Sequence, residues 1–515
     1  MRRLVAATGA VLALCLAGVP AQAGEWSRLE SEHFSVTTNR DGKMVREHLK
    51  QLERFRWLAL QVLGADEKGL RAQAKFDIVL MRGRSSMLSL FPEMADMVAG
   101  LYMHCSEGAA AYATYEVGEA QWNLMVLQHE YAHHLMFQYA TIAYPAWYVE
   151  GFAEYMSTFY SVDDGASLGG MNQPRYRTLT HRRPGSWLPL ERVLRWRMGA
   201  ADKPDQEEIQ SLYAQSWLLT HYMFSNSDRA KRLPAYFARV AAGEDPVAAF
   251  EPATGIAIAD LQWQLKRYIE DGVPMVQLRG NDMPQSSIQA VALSDAADAY
   301  LPTVLPLMAC VKPERGQAIL AQLRAIAAKP ALVDPALRQE LARAEARFGD
   351  AGAAITLLDG LVGADAQNAE AHYLLGRAWD RQAQSLQGKE KAAAQEQARN
   401  HLFASYRLRK NHAPTLYHLA LALAREGVGP NAVNASRAAR SLSPSVDVYA
   451  LLESRLDLEV GDRERAVRAL APLASDPHSP DVAARMRLAI AAIQAGKSAQ
   501  EVAALMNPEP RRTAP

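Results

Sequence analysis

Apolar positions recur every three or four residues over 42–63. Leu49, Leu52, Phe55 and Val62 fall on one side, so the spacing predicts an amphipathic helix. Ahead of it, 26–38 reads as a strand, with Phe34 and Val36 alternating near its end. The run from Lys75 to Met81, KFDIVLM, reads as a second strand. Residues 98–115 predict a hairpin or two strands around Ser106-Glu107-Gly108. Residues 119–140 carry no Gly or Pro, and Leu124, Met125, Val126, Leu135, Met136 and Phe137 suit a mostly buried helix. Pro145 suits the first turn of another helix. The stretch 161–210 is irregular and polar. A helix opens at Ser211 and runs to about Phe224, and two more are expected over 233–270. A mixed sheet followed by helices is an α+β pattern, assigned here to a first domain over 24–270.

Residues 271–302 hold Gly272, Pro274, Gly280 and Pro284 and read as a linker with a short strand pair. From 303 alanine and leucine dominate and the helical period is continuous. Gly349-Asp350 and Gly461-Asp462 each precede an apolar helical run, and Gly427 lies 34 residues before Gly461. Residues 371–379, AHYLLGRAW, place Leu375, Gly376 and Trp379 as in the first helix of a tetratricopeptide repeat. Residues 303–505 thus resemble a degenerate tetratricopeptide array, with a longer helix or inserted turn at 382–398. A helical domain without repeats stays open as the other reading. Such arrays stack helix pairs into a curved surface that commonly takes peptide segments or partner proteins. Residues 506–515 are expected to be a disordered tail.

Composition narrows the classes. The 56 basic and 56 acidic residues balance, and no basic stripe interleaved with aromatics points to nucleic acid. Arg2 and Arg3, an apolar run over 4–19 and Ala21-Gln22-Ala23 make residues 1–23 an expected secretory signal, cut before Gly24. The apolar run is short for a membrane span. Leu14 before Cys15 argues against a lipoprotein signal. The remaining cysteines, Cys105 and Cys310, leave one disulfide open but form no framework. An exported chain so poor in cysteine points to the periplasm rather than to a secreted disulfide scaffold. No segment past the signal is long and apolar enough to span a membrane.

The chemistry concentrates in His129-Glu130-Tyr131-Ala132-His133, an H-E-x-x-H pattern. On a helix His129 and His133 lie one turn apart on one face and can share a metal ion. Glu130 projects beside them, where it can take a proton from activated water. With 13 histidines in 515 residues, chance alone yields roughly 0.02 such matches in the chain. Downstream, YPAWYVEGFAEYMSTFY places Glu150 and Glu154 four apart. Two histidines and one carboxylate leave a fourth position for water, the arrangement of catalytic rather than structural zinc. Glu150 is the expected third ligand to one Zn²⁺. Glu154 can accept the other ring N–H of a ligating histidine.

H-E-x-x-H followed by W-Y-V-E-G-F-A-E-Y resembles the gluzincin metallopeptidases, and most closely the peptidase-MA-like bacterial proteins with HEYxHH and then P-x-W-x-x-EG-x-AEY. The resemblance covers roughly 25–270. It implies ligands His129, His133 and Glu150, with Glu130 as catalytic base. The spacing from His133 to Glu150 departs from the aminopeptidase branch, and no exopeptidase motif stands out. By the same resemblance, the strand Ala109–Tyr115 before the metal helix is expected at the sheet edge over the cleft, where a peptide could pair with its backbone. The family mechanism also asks for an oxyanion donor. Tyr213 is the candidate and His221 a weaker one, while a packed core tyrosine is the competing reading of Tyr213. His104 and His181 read as structural or surface histidines.

The expected function is an exported zinc metallopeptidase acting on a peptide or protein, with a protein partner on the array. The rival expectation is a periplasmic interaction scaffold with a vestigial or structural metal site. A hydrolase acting on cell-wall peptides or another amide would use the same chemistry.

Overall fold

The computed structural model describes residues 25–65, 75–92, 100–115, 120–139, 142–162, 165–180, 187–197, 204–279, 283–309, 311–475 and 479–506. The expected signal segment, His181, Cys310, the side chain of His104 and residues 507–515 lie outside the described residues. The described residues are mostly helical, with two small sheets among them.

The strands are β1 Ser27–Glu30, β2 Phe34–Thr38, β3 Phe76–Arg82, β4 Gly100–Cys105, β5 Gly108–Tyr115, β6 Tyr160–Val162, β7 Gly165–Leu168, β8 Val276–Arg279 and β9 Gln289–Val291. Six of them form a mixed sheet in the order β4-β5-β3-β2-β1-β9, with β2–β3 and β3–β5 parallel. The single strand expected over 26–38 is two. β1 and β2 form an antiparallel hairpin, because the chain turns at Ser31, whose N–H donates to the Phe34 carbonyl.

Strand β3 shows why its run from Ile78 to Met81 is apolar without alternation. Ile78 and Leu80 enter the core that also takes Tyr131 and Trp147, while Val79 and Met81 enter a second core on the opposite face. β5 does the same, with Ala111 and Ala113 on one side and Ala110 and Tyr112 on the other. A strand buried on both faces belongs inside a sheet. The expectation that Ala109–Tyr115 forms the edge over the cleft is therefore corrected: β5 pairs with both β3 and β4, and β4 is the edge.

The helices of the first half are α1 Gly42–Leu63, α2 Gly83–Leu90, α3 Ala120–Tyr139, α4 Ala146–Met156, α5 Gln173–Thr180, α6 Leu190–Leu194, α7 Gln206–Phe224, α8 Ser227–Ala230, α9 Leu233–Ala241, α10 Pro246–Thr254 and α11 Ile258–Glu270. The described parts of 161–210 are thus more ordered than their polar composition implies, holding β7, which pairs antiparallel with β6, and the short helices α5 and α6. Residues 233–270 give three helices rather than two. Asp245 caps α10 through the Val247 and Ala248 amides and starts the extra one. The stretch 271–302 does more than link. β8 pairs with β7 to complete a three-stranded sheet, and β9 pairs with β1, so the two strands join different sheets rather than each other.

The second half runs α12 Ala297–Val304, α13 Pro313–Ala327, α14 Pro335–Phe348, α15 Ala351–Ala364, α16 Ala369–Gln384, α17 Gly388–Leu408, α18 Ala413–Ala424, α19 Pro430–Leu442, α20 Asp447–Glu459, α21 Arg463–Leu470, α22 Pro480–Gln494 and α23 Ala499–Met506. Each of α12 to α21 packs against the next, and α14 also touches α16, which makes a stack of helix hairpins. The Gly-Asp pairs seen in the sequence have a physical job. Asp350 accepts from the Ala353 amide and Asp462 from the Arg465 amide, each opening a helix after a tight turn. Gly376 lets α16 and α17 meet closely. A Cβ there would lie 2.6 Å from the Leu402 side chain.

Candidate metal centre

α3 presents His129 and His133 one turn apart, and α4 brings Glu150 against them. His129 Nε2 and His133 Nε2 lie 3.1 Å apart, and Glu150 Oε2 is 3.5 Å from each. Among the described residues, these three form the group of His, Cys, Asp and Glu side chains whose donor atoms converge closely enough to share a metal ion. Four ligands at zinc distances stand about 3.3–3.4 Å apart on the edges of a tetrahedron, so the triangle has zinc dimensions. Glu150 is fully buried and His133 is 1% exposed, while the His129 side chain retains 15%. The cluster therefore opens toward solvent on the His129 side, where Glu130 is also half-buried.

The close approach of α4 to α7 sets the position of Glu150. A Cβ on Gly151 would fall 2.3 Å from the Ser216 carbonyl oxygen and 2.3 Å from Thr220 Oγ1. A glycine beside the carboxylate is thus what lets α4 sit this deep. Trp147, Val149, Phe152 and Ala153, all fully buried, lock the helix in the core.

Glu154 lies one turn beyond Glu150 and faces the other ring nitrogen, with Oε1 3.5 Å from His129 Nδ1. It is itself held. Arg175 donates to Oε1 at 2.6 Å and Asn172 to Oε2 at 2.7 Å. Burial pushes the Glu154 carboxyl upward, but the Arg175 guanidinium and the His129 ring outweigh it and hold it below the ordinary range. Burial likewise opposes charge on His129. The carboxylates of Glu150, Glu154 and Glu130 overcome it and lift the imidazole to about 9. The pocket is thus negative enough to favour a bound cation.

Tyr213 on α7 lies beside the cluster. Its ring stacks at 6.4 Å from that of His129, Trp196 meets it edge-on at 5.6 Å, and the Arg175 guanidinium sits 5.0 Å over it. Burial, with the charges of Glu150 and Glu154, raises its pKa well above 10, so the phenol keeps its proton and can donate. The other candidate donor is placed elsewhere. His221 Nε2 lies 2.7 Å from the Gly169 carbonyl and Nδ1 2.8 Å from the Tyr268 hydroxyl, which makes it a bracing group. The third histidine of the motif, His134, faces away from the cluster, with Nδ1 3.1 Å from the Tyr102 hydroxyl and 3.4 Å from Ser445 Oγ.

No protein-family model matches this chain, and no curated protein matches it. A solved structure does. A tetratricopeptide-repeat protein from Thermus thermophilus aligns at 21% identity and TM-score 0.30, over 35% of this chain and 92% of its own. The likeness is slight and assigns no family.

Two site residues escape the sequence reading. Arg175 and Asn172 fall in the stretch read as irregular. The start of α5 was legible, since Asn172 precedes Pro174 and its side-chain oxygen accepts from the Arg175 amide at 3.4 Å. That Arg175 reaches back 21 residues to Glu154 was not. It is a tertiary contact with no local signature.

Proposed function

We propose that this chain is a zinc-dependent metallopeptidase of gluzincin type. The observation that carries the reading is the convergence of His129 Nε2, His133 Nε2 and Glu150 Oε2 at 3.1–3.5 Å, with Glu130 adjacent on the same helix. A structural metal site does not need the adjacent base. When bound, zinc would lower the pKa of water toward neutrality and polarise a scissile carbonyl.

The chain's own groups do the rest. Glu130 takes the proton of the attacking water and returns it to the leaving amine. Tyr213, protonated at neutral pH, donates to the oxyanion that develops on the carbonyl. Glu154 fixes the ring and tautomer of His129, and Arg175 with Asn172 fixes Glu154. Export through the segment 1–23 and action in the periplasm belong to this proposal, as does a peptide or protein substrate. None of the described helices is long and apolar enough to cross a membrane.

The helix stack favours a second reading, an interaction scaffold in which the metal site is structural. Elemental analysis of the purified protein separates ligand assignment from activity. One zinc per chain in the wild type, lost in His133→Ala and in Glu150→Ala, supports the site. Stoichiometric zinc in either variant removes it. Zinc binding with no cleavage in an unbiased peptide library favours the scaffold.

A further inference from the structure

The turn between β4 and β5 enters the helix stack. Tyr449 on α20 donates its hydroxyl to the Ser106 carbonyl at 2.8 Å. Tyr373 on α16 donates to Glu107 Oε2 at 2.9 Å, while Arg377, one turn on, donates to Oε1 and also meets the Tyr373 hydroxyl at 2.9 Å. Tyr373 and Tyr449 are buried, and the Glu107 and Arg377 side chains are partly so, at 12% and 21% exposure. Arg347 of α14 acts on the same carboxylate, and the ring of His418 on α18 lies 6.0 Å from that of Tyr373. The contributing helices α14, α16, α18 and α20 alternate along the stack, so one helix of each consecutive hairpin contributes. In a solenoid that periodicity marks a single continuous face, the kind that holds bound segments.

The grip extends to the metal-site helix. Ser445, just before α20, lies 3.4 Å from His134 Nδ1, and the β4 residue Tyr102 reaches the same nitrogen. His134 is next in sequence to His133. The stack thus holds the edge strand and the helix that carries both ligand histidines.

We infer that this face of the stack is a carboxylate-binding groove whose resident ligand is the chain's own β4–β5 turn, anchored by Glu107. An acidic segment offered from outside competes with Glu107 for Arg377 and Tyr373 and frees edge strand β4. Charge complementarity supports the assignment. Burial pushes the Glu107 carboxyl up, yet the Arg377 and Arg347 guanidiniums outweigh it and hold it well below the carboxylate range. The inference stands whether or not the metal site is catalytic.

The test is hydrogen exchange on the full-length chain. Glu107→Gln keeps the shape and removes the charge, and it should speed exchange in 100–115 and 369–384 by about tenfold or more, with 206–224 unchanged. Arg399→Ala, which breaks the exposed pair with Glu426, should leave 100–115 as in the wild type. A synthetic peptide of residues 103–110, in excess over the wild type, should reproduce the acceleration, and the same peptide with Gln at the Glu107 position should not. Wild-type exchange in Glu107→Gln overturns the anchor, as does an acceleration spread evenly to 206–224. Exchange that responds to neither peptide overturns the competition.

Discussion

Gly151→Ala probes how the cluster is assembled. The added methyl would sit 2.3 Å from a backbone oxygen of α7 and 2.7 Å from the carbonyl carbon of the same residue, Ser216. Neither atom belongs to a flexible side chain, so α4 and α7 must separate by about 1 Å to restore van der Waals contact. Overpacking of this kind costs about 1–3 kcal/mol, or about 2–12 °C in melting temperature for a unit of this size. Glu150 is the adjacent residue and moves with α4. An Oε2 that stands 3.5 Å from each imidazole would be displaced by about the same amount, off the edge of a zinc tetrahedron. Zinc affinity should fall about tenfold or more, on the scale of other losses of ligand positioning. The assay is thermal unfolding with and without zinc, together with chelator competition. Gly170→Ala is the control, since its Cβ would meet only Met275 Sδ at an ordinary 3.6 Å. A Gly151→Ala protein with wild-type melting and wild-type zinc affinity would refute the packing argument.

Two further predictions follow from the charges. Glu154→Ala leaves all three ligand atoms in place but removes the acceptor for His129 Nδ1, and zinc affinity should drop by about 10–100-fold; undiminished affinity in chelator competition would show that Glu154 does not orient the ligand. In the helix stack, burial lifts the Glu453 carboxyl from 4.5 to about 7, despite Arg440 3.7 Å away. The folded chain then holds a proton that the unfolded chain releases, so stability from this group is present below pH 4.5 and lost as pH rises toward 7. Glu453→Gln should flatten that dependence and stabilise the protein by about 1–3 kcal/mol at pH 8, read from denaturant melts across pH; an unchanged slope between pH 5 and 7 counts against it.

What the sequence revealed and what it hid divide along contact range. The α1 helix was legible from Leu49, Leu52 and Phe55, and the metal-site helix from the His129/His133 spacing, because helical periodicity is local. Glu150 and Glu154 were legible for the same reason. The place of β5 in the sheet was not, since it depends on parallel pairing with β3, more than thirty residues earlier. The split of 26–38 into β1 and β2 turned on one backbone hydrogen bond at Ser31. Asn172 and Glu107 showed local turn and cap signals at most, and nothing in the sequence pointed from Arg175, Asn172 or Glu107 to its partner. Their partners are set by the folded topology, and Glu107 finds its own 270 residues downstream.

The central claim is that Glu130 moves the proton while His129, His133 and Glu150 hold the metal. It is tested most directly by comparing peptide hydrolysis by zinc-loaded wild type and zinc-loaded Glu130→Gln at equal metal content. The account predicts one zinc per chain in both proteins and a cleavage rate lower by about 10²–10⁴-fold in the variant. A Glu130→Gln protein that cleaves at the wild-type rate would contradict it.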